Sequence, residues 1–476
     1  MKDLKTKIIT TIGPASSDYK TLEEFMKEGV DVFRINFSHG NHAEHRKTIE
    51  TIHELNLKHH CHAAILADLQ GPKIRIGNLK YESLDLKEGD ILHLQSGKLE
   101  QTDENVPVDY PGFSRDVMKG EQIQIDDGRI VLEAVGEIDK DTVKAKVLYG
   151  GKLLSRKGIN LPNTRISLPA LTEKDMKDLE FILTQKVQWI ALSFVRSAAD
   201  IIELRHHISS KIREKSPLIV AKIEKPEALE DIDNIINKAD ALMIARGDLG
   251  IEIPLEEVPL IQKDIVRKCM TRSKPTIIAT QMMEGMISNF SPTRAEVNDV
   301  ANSVLDGSDA LMLSGETSIG HNPVKVVKVM KRIIAYVESH QDIYYKHFSP
   351  ETLNNERFIS DSIVYNACEM AEQVKASVIV GMTHSGYSAF EIAGQRPKAR
   401  IFIFTNNHSI LSKLSLVWGI QGFYYDKFIS TDHTIEDILM LLQRNKLVNK
   451  GDFVINIAST PLDQYGQTNM MKLSVV

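Results

Sequence analysis

The sequence has very few cysteines, and their placement excludes a cross-linked fold. Cys61, Cys269 and Cys368 are its only thiols in 476 residues, and they form no Cys-x-x-Cys motif. An odd and widely scattered set is typical of reduced thiols and not of a disulfide framework. We therefore expect a protein of a reducing compartment.

Long hydrophobic runs are also absent. No apolar stretch approaches the ~20 residues that a membrane-spanning helix needs. The first residues pass into a strand-like run without the apolar core of a signal peptide. Together these absences predict a cytoplasmic protein with no membrane partner.

A surplus of basic residues is missing as well. The formal net charge is -6, so the positive field of a general nucleic-acid binder is not present and no nucleic-acid partner is expected. Local basic pockets for small phosphates remain compatible with this charge. With 42% hydrophobic and 26% charged residues the composition is that of a globular protein, and its length predicts about two to four domains.

One short cluster, His59-His60-Cys61-His62, has the residue types of a metal site. It lies directly before an apolar run, at the start of a predicted strand. Closed zinc sites are built from ligand pairs that are separated in sequence, and this cluster has no second pair. A structural role is favoured over metal binding.

What the sequence does contain is an alternation of short apolar runs with amphipathic, helix-like stretches, the pattern of parallel β/α units. Residues 18–29 are predicted as a helix with an acidic start and a glycine stop. About a hundred residues after Leu69 instead hold short, turn-rich segments and predict a small all-β insertion. Strands are expected at 7–13, 32–38, 63–69, 189–194, 218–224, 241–248, 276–280 and 310–316.

Eight such strands, each followed by a helical stretch, are the number in a closed (β/α)8 TIM barrel. From about residue 345 a separate unit begins, with helices expected at 362–376, 387–395 and 434–445 and strands at 378–382, 400–405 and 452–458. This alternation predicts an open, doubly wound α/β sheet. The predicted fold class is therefore α/β, with a β insertion in the barrel.

Polar residues gather at the carboxyl ends of the predicted barrel strands, where active sites of this architecture lie. Side chains two apart on a strand share a face, so Lys222 with Glu224, and Arg246 with Asp248, are expected at one rim. Carboxylates of this kind suit magnesium, and the cations suit a phosphoryl group. The rim residues are Arg34, Asn36, Ser38, Asp68, Ser193, Lys222, Glu224, Arg246, Asp248, Thr280, Ser314 and Glu316.

Inert ion pairs at element ends are the alternative, since such pairs are common and contribute little. A random scatter of them would not favour one end of most strands, so the site interpretation is preferred.

In the C-terminal unit, Thr383-His-Ser-Gly-Tyr-Ser388 precedes a predicted helix. Its hydroxyls and amides suit a phosphate, although an ordinary helix cap explains them equally well.

The chain resembles the pyruvate kinase family over essentially its whole length. The segments that carry the resemblance are Thr10-Thr-Ile-Gly-Pro-Ala15, Arg34-Ile-Asn-Phe-Ser-His-Gly40, Asp68-Leu-Gln-Gly-Pro-Lys-Ile-Arg75, Lys157-Gly-Ile-Asn-Leu-Pro162, Lys222-Ile-Glu224, Ala245-Arg-Gly-Asp-Leu-Gly250, Ala279-Thr-Gln-Met-Met-Glu284 and Pro292-Thr-Arg-Ala-Glu-Val297. The resemblance implies transfer of the phosphoryl group of phosphoenolpyruvate to ADP, giving pyruvate and ATP, the last step of glycolysis.

It also implies a barrel domain (1–71 and 169–344), a small β-barrel lid domain inserted after the third strand (72–168), and a C-terminal regulatory α/β domain (345–476). A homotetramer is expected, with allosteric control by a phosphorylated metabolite at a loop made of Thr383, His384, Ser385, Gly386 and Ser388. A sugar phosphate or a nucleoside monophosphate is the expected effector.

The resemblance further implies residue roles. Glu224 and Asp248 would hold a magnesium ion beside the substrate, and a second magnesium would arrive with the nucleotide. Lys222 and Arg34 would bracket the moving phosphoryl group, and Thr280 would belong to the relay that protonates the enolate carbon. Substrate would also meet Ser193, Gly247 and Asp248. The nucleotide phosphates would face Asn36, His39, Arg75 and Lys157, the last arriving from the lid.

One departure from the family carries information. Potassium-dependent members hold the ion with groups equivalent to Asn36, Ser38, Asp68 and the carbonyl of Leu69. They usually carry a Glu where this chain has Lys73, and Thr-Lys at Leu69-Gln70. An ammonium there would repel potassium while supplying the same charge. We expect activity that does not need potassium; a solvent-facing lysine at the hinge is the alternative.

Two other functions fit part of this pattern. A metal-dependent aldolase or lyase acting through a pyruvate enolate would use Glu224 and Asp248 but leaves Lys157, Arg75 and the lid without a purpose. An inactive, metabolite-sensing homologue is disfavoured by the full set of charged rim residues. Formation of ATP from phosphoenolpyruvate and ADP separates both from a pyruvate kinase.

Overall fold

Three architectural units make up the protein: a closed barrel, a separate sheet unit inserted into it, and an open five-stranded sheet. The structure is a computed structural model that describes residues 4–101, 104–162, 164–212, 216–340, 343–350, 356–427, 430–461 and 466–476. Among these described residues, no helix combines the length and the apolar character needed to cross a membrane.

The amino-terminal segment begins the barrel. Its first helix has the predicted ends, because the Asp18 side chain accepts a hydrogen bond from the Thr21 amide and Gly29 closes the helix with φ of 88°. That positive φ is accessible to glycine at little cost. The elements are β1 (Lys7–Ile12), α1 (Tyr19–Glu28), β2 (Val32–Asn36), α2 (His42–His59) and β3 (Ala64–Asp68).

The insertion that follows is mostly β structure, as expected, and it has its own apolar core. It also contains one short helix that the sequence pattern did not predict. Its elements are β4 (Ser83–Leu86), β5 (Ile91–Ser96), β6 (Val106–Val108), α3 (Phe113–Asp116), β7 (Gln122–Ile125), β8 (Ile130–Asp139), β9 (Thr142–Tyr149), β10 (Gly151–Leu154) and β11 (Ile159–Asn160). We call this unit the lid.

The chain then completes the barrel with five further β/α repeats. The elements are α4 (Glu173–Thr184), β12 (Trp189–Leu192), α5 (Ala198–Lys211), β13 (Leu218–Ile223), α6 (Pro226–Glu230), α7 (Ile232–Lys238), β14 (Ala241–Ala245), α8 (Arg246–Glu252), α9 (Val258–Thr271), β15 (Thr276–Ala279), α10 (Arg294–Asp306), β16 (Ala310–Leu313), α11 (Gly315–Ser318) and α12 (Pro323–His340).

The eight predicted barrel strands all form and close in the order β1-β16-β15-β14-β13-β12-β3-β2, with parallel pairing throughout. The predicted fold class is therefore confirmed. All eight strands end one to three residues earlier than expected, and β14 and β16 show the largest difference, three residues each. The β14 ladder stops where Ala245 pairs with Ala279, and β16 stops at Leu313.

The early end of β14 corrects the expected placement of Arg246 and Asp248. These residues lie in the first turn of α8 and not on an extended strand, so the period-two argument for them is wrong. The pattern could not reveal this, because Arg-Gly-Asp after an apolar run fits either a strand end or a helix start. Glu316 likewise lies in α11.

The last unit is an open sheet in the order β19-β18-β17-β20-β21. Its four parallel strands carry helices, and the final strand pairs antiparallel with β20. The elements are α13 (Phe358–Gln373), β17 (Val378–Met382), α14 (Tyr387–Gly394), β18 (Arg400–Thr405), α15 (His408–Lys413), β19 (Ile420–Tyr424), α16 (Thr431–Arg444), β20 (Phe453–Ala458) and β21 (Met470–Val475). β19 and β21 were not anticipated from the sequence.

This C-terminal unit closes the bottom of the barrel. Leu416 packs into the apolar cluster inside the barrel, and the Trp189 indole donates to the Lys413 carbonyl at 3.2 Å. A buried ion pair between Arg396 and Asp309, at 2.9 Å, joins the same two units. Apolar side chains fill the lower interior of the barrel, and the mouth formed by the strand carboxyl ends is where this architecture places its active sites.

Candidate active site at the barrel mouth

Lys222 is the centre of a buried polar network at the carboxyl ends of neighbouring strands. It is the penultimate residue of β13, and its side chain is 11% exposed. Its ammonium donates to Ser193 Oγ at 2.7 Å and lies 3.0 Å from Glu224 Oε1 and 3.3 Å from Asp68 Oδ1. Burial alone would lower the pKa of Lys222, but Asp68 and Glu224 outweigh burial and raise it. The lysine is therefore a fixed positive charge.

Arg34 supplies a second cation from β2. Its guanidinium contacts Asp68 Oδ2 through Nε at 2.7 Å and Nη2 at 2.6 Å, and Nη1 donates to Thr11 Oγ1 at 2.9 Å. Burial would raise the pKa of Asp68, yet Lys222 and Arg34 together hold it below its usual range. Asp68 thus stays ionised and fixes the spacing of the two cations.

Glu224 sits in a different electrostatic balance. Its Oε2 accepts the Phe194 amide at 2.7 Å, and its side chain is 1% exposed. Burial raises its pKa, and the nearby Asp248 carboxylate raises it further, although Lys222 opposes both. Two carboxylates that repel each other in a buried place are stabilised by a cation between them. The pair therefore fits a divalent metal.

The start of α8 presents backbone amides to the same mouth. The Gly247 amide donates to Thr280 Oγ1 at 2.7 Å, and a Cβ on Gly247 would lie 3.2 Å from that oxygen. Thr280 adopts φ of 69°, a left-handed conformation that is rare for a β-branched residue. Backbone strain of this kind concentrates at functional sites, and here the hydroxyl of Thr280 is fixed directly against α8.

Arg246 holds α8 in place and does not reach the network around Lys222. Its guanidinium forms a two-pronged ion pair with Asp299 at 2.6 and 2.7 Å and donates to the Thr280 carbonyl at 2.9 Å. Asp299 and Thr11 are supporting residues that sequence reasoning missed. Thr11 lies inside one of the family segments and Asp299 lies just after another. Each rim arginine needs a hydrogen-bond acceptor, and that need is the signal that points to them.

The expected nucleotide residues lie on the rim and on the facing lid. The pKa of His39 is lowered by burial and then by the positive charges of Arg75, Lys73 and Arg34, so these residues surround one region. Arg75 Nη1 donates to the Arg156 carbonyl at 3.1 Å within the lid. Lys157 is also held within the lid, 2.8 Å from Asp126 Oδ1.

The oxygens expected to bind a monovalent ion already meet protein donors. Asn36 Oδ1 accepts the Ser38 amide at 3.0 Å, and the Leu69 carbonyl accepts from Ser193 Oγ at 2.7 Å. Asp68 is shared by Arg34 and Lys222, as described above. The Lys73 side chain is half-buried where the chain enters the lid, and a Cβ on Gly158 would lie 3.3 Å from Lys73 Cε.

Comparison with known proteins identifies the family of this chain. A family model described as "Pyruvate kinase, barrel domain" matches residues 3–327, and one described as "Pyruvate kinase, alpha/beta domain" matches residues 361–474. The chain belongs to the pyruvate kinase family. The predicted family is thereby confirmed, and with it the activity of a pyruvate kinase, phosphoryl transfer from phosphoenolpyruvate to ADP.

Individual pyruvate kinases are similar to this chain over almost its whole length. The chain is 41% identical to a pyruvate kinase of Geobacillus stearothermophilus, an alignment covering 99% of this chain and 80% of the relative. It is 39% identical to that of Corynebacterium efficiens, covering 99% and 98%. The crystal structure of a pyruvate kinase from Cryptosporidium parvum superposes with a TM-score of 0.91 at 34% identity, covering 99% of this chain and 96% of that one.

A second polar cavity of this pyruvate kinase lies in its C-terminal unit, with a volume of about 310 Å³. Four of the five expected effector residues line it together with Arg357 and residues near the chain end, namely Thr383, His384, Ser385 and Ser388. Thr383 Oγ1 accepts the Gly386 amide at 3.0 Å, and Gly386 has φ of 86°. Ser388 Oγ is buried without a partner among the described residues.

The histidine cluster takes part in neither cavity. His59 ends α2 and lies 2.9 Å from Glu23, and Cys61 Sγ contacts Asn56 Oδ1 at 3.3 Å. Within the described ranges, no group of three or more His, Cys, Asp or Glu side chains is arranged to hold a metal. The carboxylates of Glu224 and Asp248 alone would therefore need further ligands from substrate and water.

Proposed function

We propose that the network around Lys222 is the phosphoryl-transfer site of this pyruvate kinase, whose family membership makes phosphoenolpyruvate and ADP its substrates. One observation carries the proposal: a permanently charged ammonium is held between Ser193, Glu224 and Asp68, with Arg34 on the other side of Asp68. Charge on the moving phosphoryl oxygens must be neutralised in place, so fixed cations are what this chemistry needs.

Roles for the other residues are proposed on the resemblance to the family. The amides of Gly247 and Asp248, with Ser193, receive the substrate, and Thr280 belongs to the relay that protonates the enolate carbon. Arg34 braces the phosphoryl group opposite Lys222. The Thr280 hydroxyl accepts the Gly247 amide, which supports its place beside α8 at the barrel mouth.

A divalent metal fits the donor set of Glu224 and Asp248, in line with the general metal dependence of the family. The raised pKa of Glu224 supports this, since its cause is burial beside a second carboxylate. When bound, magnesium supplies positive charge that stabilises developing negative charge on oxygen. A second magnesium is proposed to accompany the nucleotide, whose phosphates meet Asn36, His39, Arg75 and Lys157.

Potassium is proposed to be dispensable, with Lys73 in its place. The positive charge of Lys73 already acts on His39, and Asp68, one of the groups expected to bind the ion, is neutralised by Arg34 and Lys222. Asn36, Ser38 and the Leu69 carbonyl are the remaining groups of that position. The ammonium of a lysine is attached to the chain, so it does not have to bind from solvent, and its charge would oppose entry of a free cation.

The test is turnover in potassium buffer compared with tetramethylammonium buffer. We expect less than about a threefold difference for the natural protein, and at least about a tenfold rise with potassium for Lys73→Glu, because one charge reversal changes local electrostatics by more than 1.4 kcal/mol. Lys80→Glu reverses a charge on the exposed face of the lid and should behave like the natural protein. A tenfold activation of the natural protein by potassium would refute the assignment.

The cavity beside α14 is proposed to bind the phosphate of an allosteric effector through Thr383, His384, Ser385, Gly386 and Ser388. Supporting this, α14 links the cavity to the barrel: Tyr387 donates to Asp361 at 2.7 Å, and Glu391 accepts from Ser273 at 2.8 Å. Burial raises the pKa of Glu391 to about 7, with Asp361 adding to it. Occupancy of the loop can thereby bias a barrel contact.

Activity at low phosphoenolpyruvate should rise when the correct phosphate ester is added. The probes that distinguish the possible effectors are inorganic phosphate, a sugar bisphosphate and a nucleoside monophosphate. Thr383→Ala should raise the half-maximal effector concentration by about tenfold or more, since a hydrogen bond to a charged group contributes ~1.5–3 kcal/mol. Ser412→Ala, outside the residues lining the cavity, should leave that concentration unchanged. An unchanged response in Thr383→Ala would remove the loop from effector binding.

The remaining assignments are proposed on the sequence pattern and the family resemblance. These are a homotetramer, a cytoplasmic location, and unit boundaries at residues 1–71 with 169–344 for the barrel, 72–168 for the lid and 345–476 for the regulatory unit. Sedimentation velocity at several protein concentrations tests the assembly state, which should be a tetramer.

A further inference from the structure

One buried carboxylate joins the lid to the two barrel segments that carry the proposed metal ligands. Glu252 is the last residue of α8, and its Oε1 accepts from Asn160 Nδ2 of the lid at 3.0 Å and from Lys225 Nζ at 2.7 Å. Lys225 directly follows Glu224, and α8 also contains Asp248. Asn160 lies three residues after Lys157, in β11.

The environment makes these contacts strong. The side chains of Glu252 and Lys225 are 1% and 8% exposed, so the ion pair is screened little by solvent. A neutral amide that donates to a buried, ionised carboxylate makes a charge-assisted hydrogen bond, which is about twice as strong as a neutral one. Glu252 Oε2 is buried with no partner in the described part of the chain, so the carboxylate depends on the two bonds to Oε1.

The lid is also held where the chain returns to the barrel. Arg196, which follows β12, donates through Nη1 to the Ile166 carbonyl at 2.6 Å and through Nη2 to the Leu168 carbonyl at 2.8 Å. These bonds hold the connecting segment. Among these contacts, only the bond from Asn160 acts on the lid strand that continues from Lys157, so it ties that strand to the barrel.

We propose that Asn160 and Glu252 are positioning residues that hold the lid over the barrel mouth, so that Lys157 meets the nucleotide while α8 receives the substrate. Neither side chain contacts the reacting atoms in this proposal, which rests on the proposed role of Lys157. If the bond is lost, the lid samples other orientations and the fraction of protein competent for ADP falls. The apparent KM for ADP rises by the inverse of that fraction.

Exchanging donor and acceptor tests the pair directly. Asn160→Asp keeps the side-chain shape but places a carboxylate against Glu252, and it should raise the KM for ADP about tenfold or more, with the KM for phosphoenolpyruvate within about twofold and kcat at saturating ADP largely kept. In the double variant Asn160→Asp with Glu252→Gln, the new amide donates to the new carboxylate, and most of the loss should be recovered.

Three further variants keep the test decisive. Asn78→Asp makes the same change against Glu100, to which Asn78 donates at 2.7 Å on the exposed side of the lid, and it should leave every constant unchanged. Asn160→Ala serves if Asn160→Asp fails to fold, as judged by its melting temperature. Lys157→Met tests the premise: an unchanged KM for ADP in this variant removes the proposed role of Lys157 and the proposal with it.

The proposal is overturned by any of three results with Lys157→Met behaving as expected. The first is an unchanged KM for ADP in Asn160→Asp. The second is a fall in kcat and a rise in the KM for phosphoenolpyruvate that are as large as the rise in the KM for ADP. The third is a double variant whose KM for ADP is no better than the sum of the two single changes predicts. A natural protein that forms no ATP would instead refute the activity itself, so the two failures are distinguishable.

Discussion

Lys222→Met is expected to lower kcat by about 10³-fold or more, the scale of removing one strong electrostatic stabiliser from a transition state. Methionine keeps much of the volume of the lysine stem but carries no charge. The phosphoryl group would then lose the ammonium that Ser193, Asp68 and Glu224 now hold in place. Steady-state turnover at saturating phosphoenolpyruvate, ADP and Mg²⁺ measures the effect.

The change also leaves two buried carboxylates with less compensation, so stability must be measured beside activity. The melting temperature of each variant shows whether the protein still folds. Lys274→Met is the matched control, because Lys274 donates to the Ala239 carbonyl at the opposite end of the barrel, before β15 begins. A Lys222→Met protein that melts like the natural one and keeps a tenth of its turnover would contradict the role.

Asp248→Asn is expected to raise the Mg²⁺ concentration for half-maximal activity by more than the ~10–100-fold that loss of an outer-shell partner costs, and to lower kcat as well. Asparagine preserves the shape of the first turn of α8 and removes one of the two negative charges that favour a cation beside Glu224. Titration of activity against free Mg²⁺ gives one readout. Binding of Mn²⁺, followed by the loss of its free electron paramagnetic resonance signal, gives a second without turnover.

Glu256→Gln is the control for this change, since Glu256 is an exposed carboxylate just beyond the same helix. It should leave both titrations unchanged. Equal metal affinity in Asp248→Asn and the natural protein would place the divalent ion elsewhere, whatever happened to turnover.

The sequence predicted the barrel well because its strands are short, apolar and regularly spaced. Every barrel strand formed, and α1 began and ended at the expected residues, since Asp18 and Gly29 act locally. Segments whose conformation depends on distant partners were harder. Arg246 and Asp248 enter a helix because the β14 ladder ends at Ala245, which no local pattern reveals.

The candidate site was likewise predictable only in part. Lys222, Arg34, Asp68 and Glu224 could be placed at one rim because parallel strands bring their carboxyl ends together. Their mutual bonds, and the roles of Thr11 and Asp299, depend on side-chain directions in three dimensions. The same holds for the contact between Asn160 and Glu252, which are 92 residues apart in the chain.

The most direct test of the account follows phosphorus itself. Phosphorus-31 NMR of the protein with phosphoenolpyruvate, ADP and Mg²⁺ should show the phosphoenolpyruvate signal replaced by an equal amount of the γ-phosphate of ATP, and Lys222→Met should abolish this conversion over the same interval. Release of inorganic phosphate without ATP from the natural protein, or unchanged conversion by Lys222→Met, would contradict the phosphoryl-transfer site described at the barrel mouth.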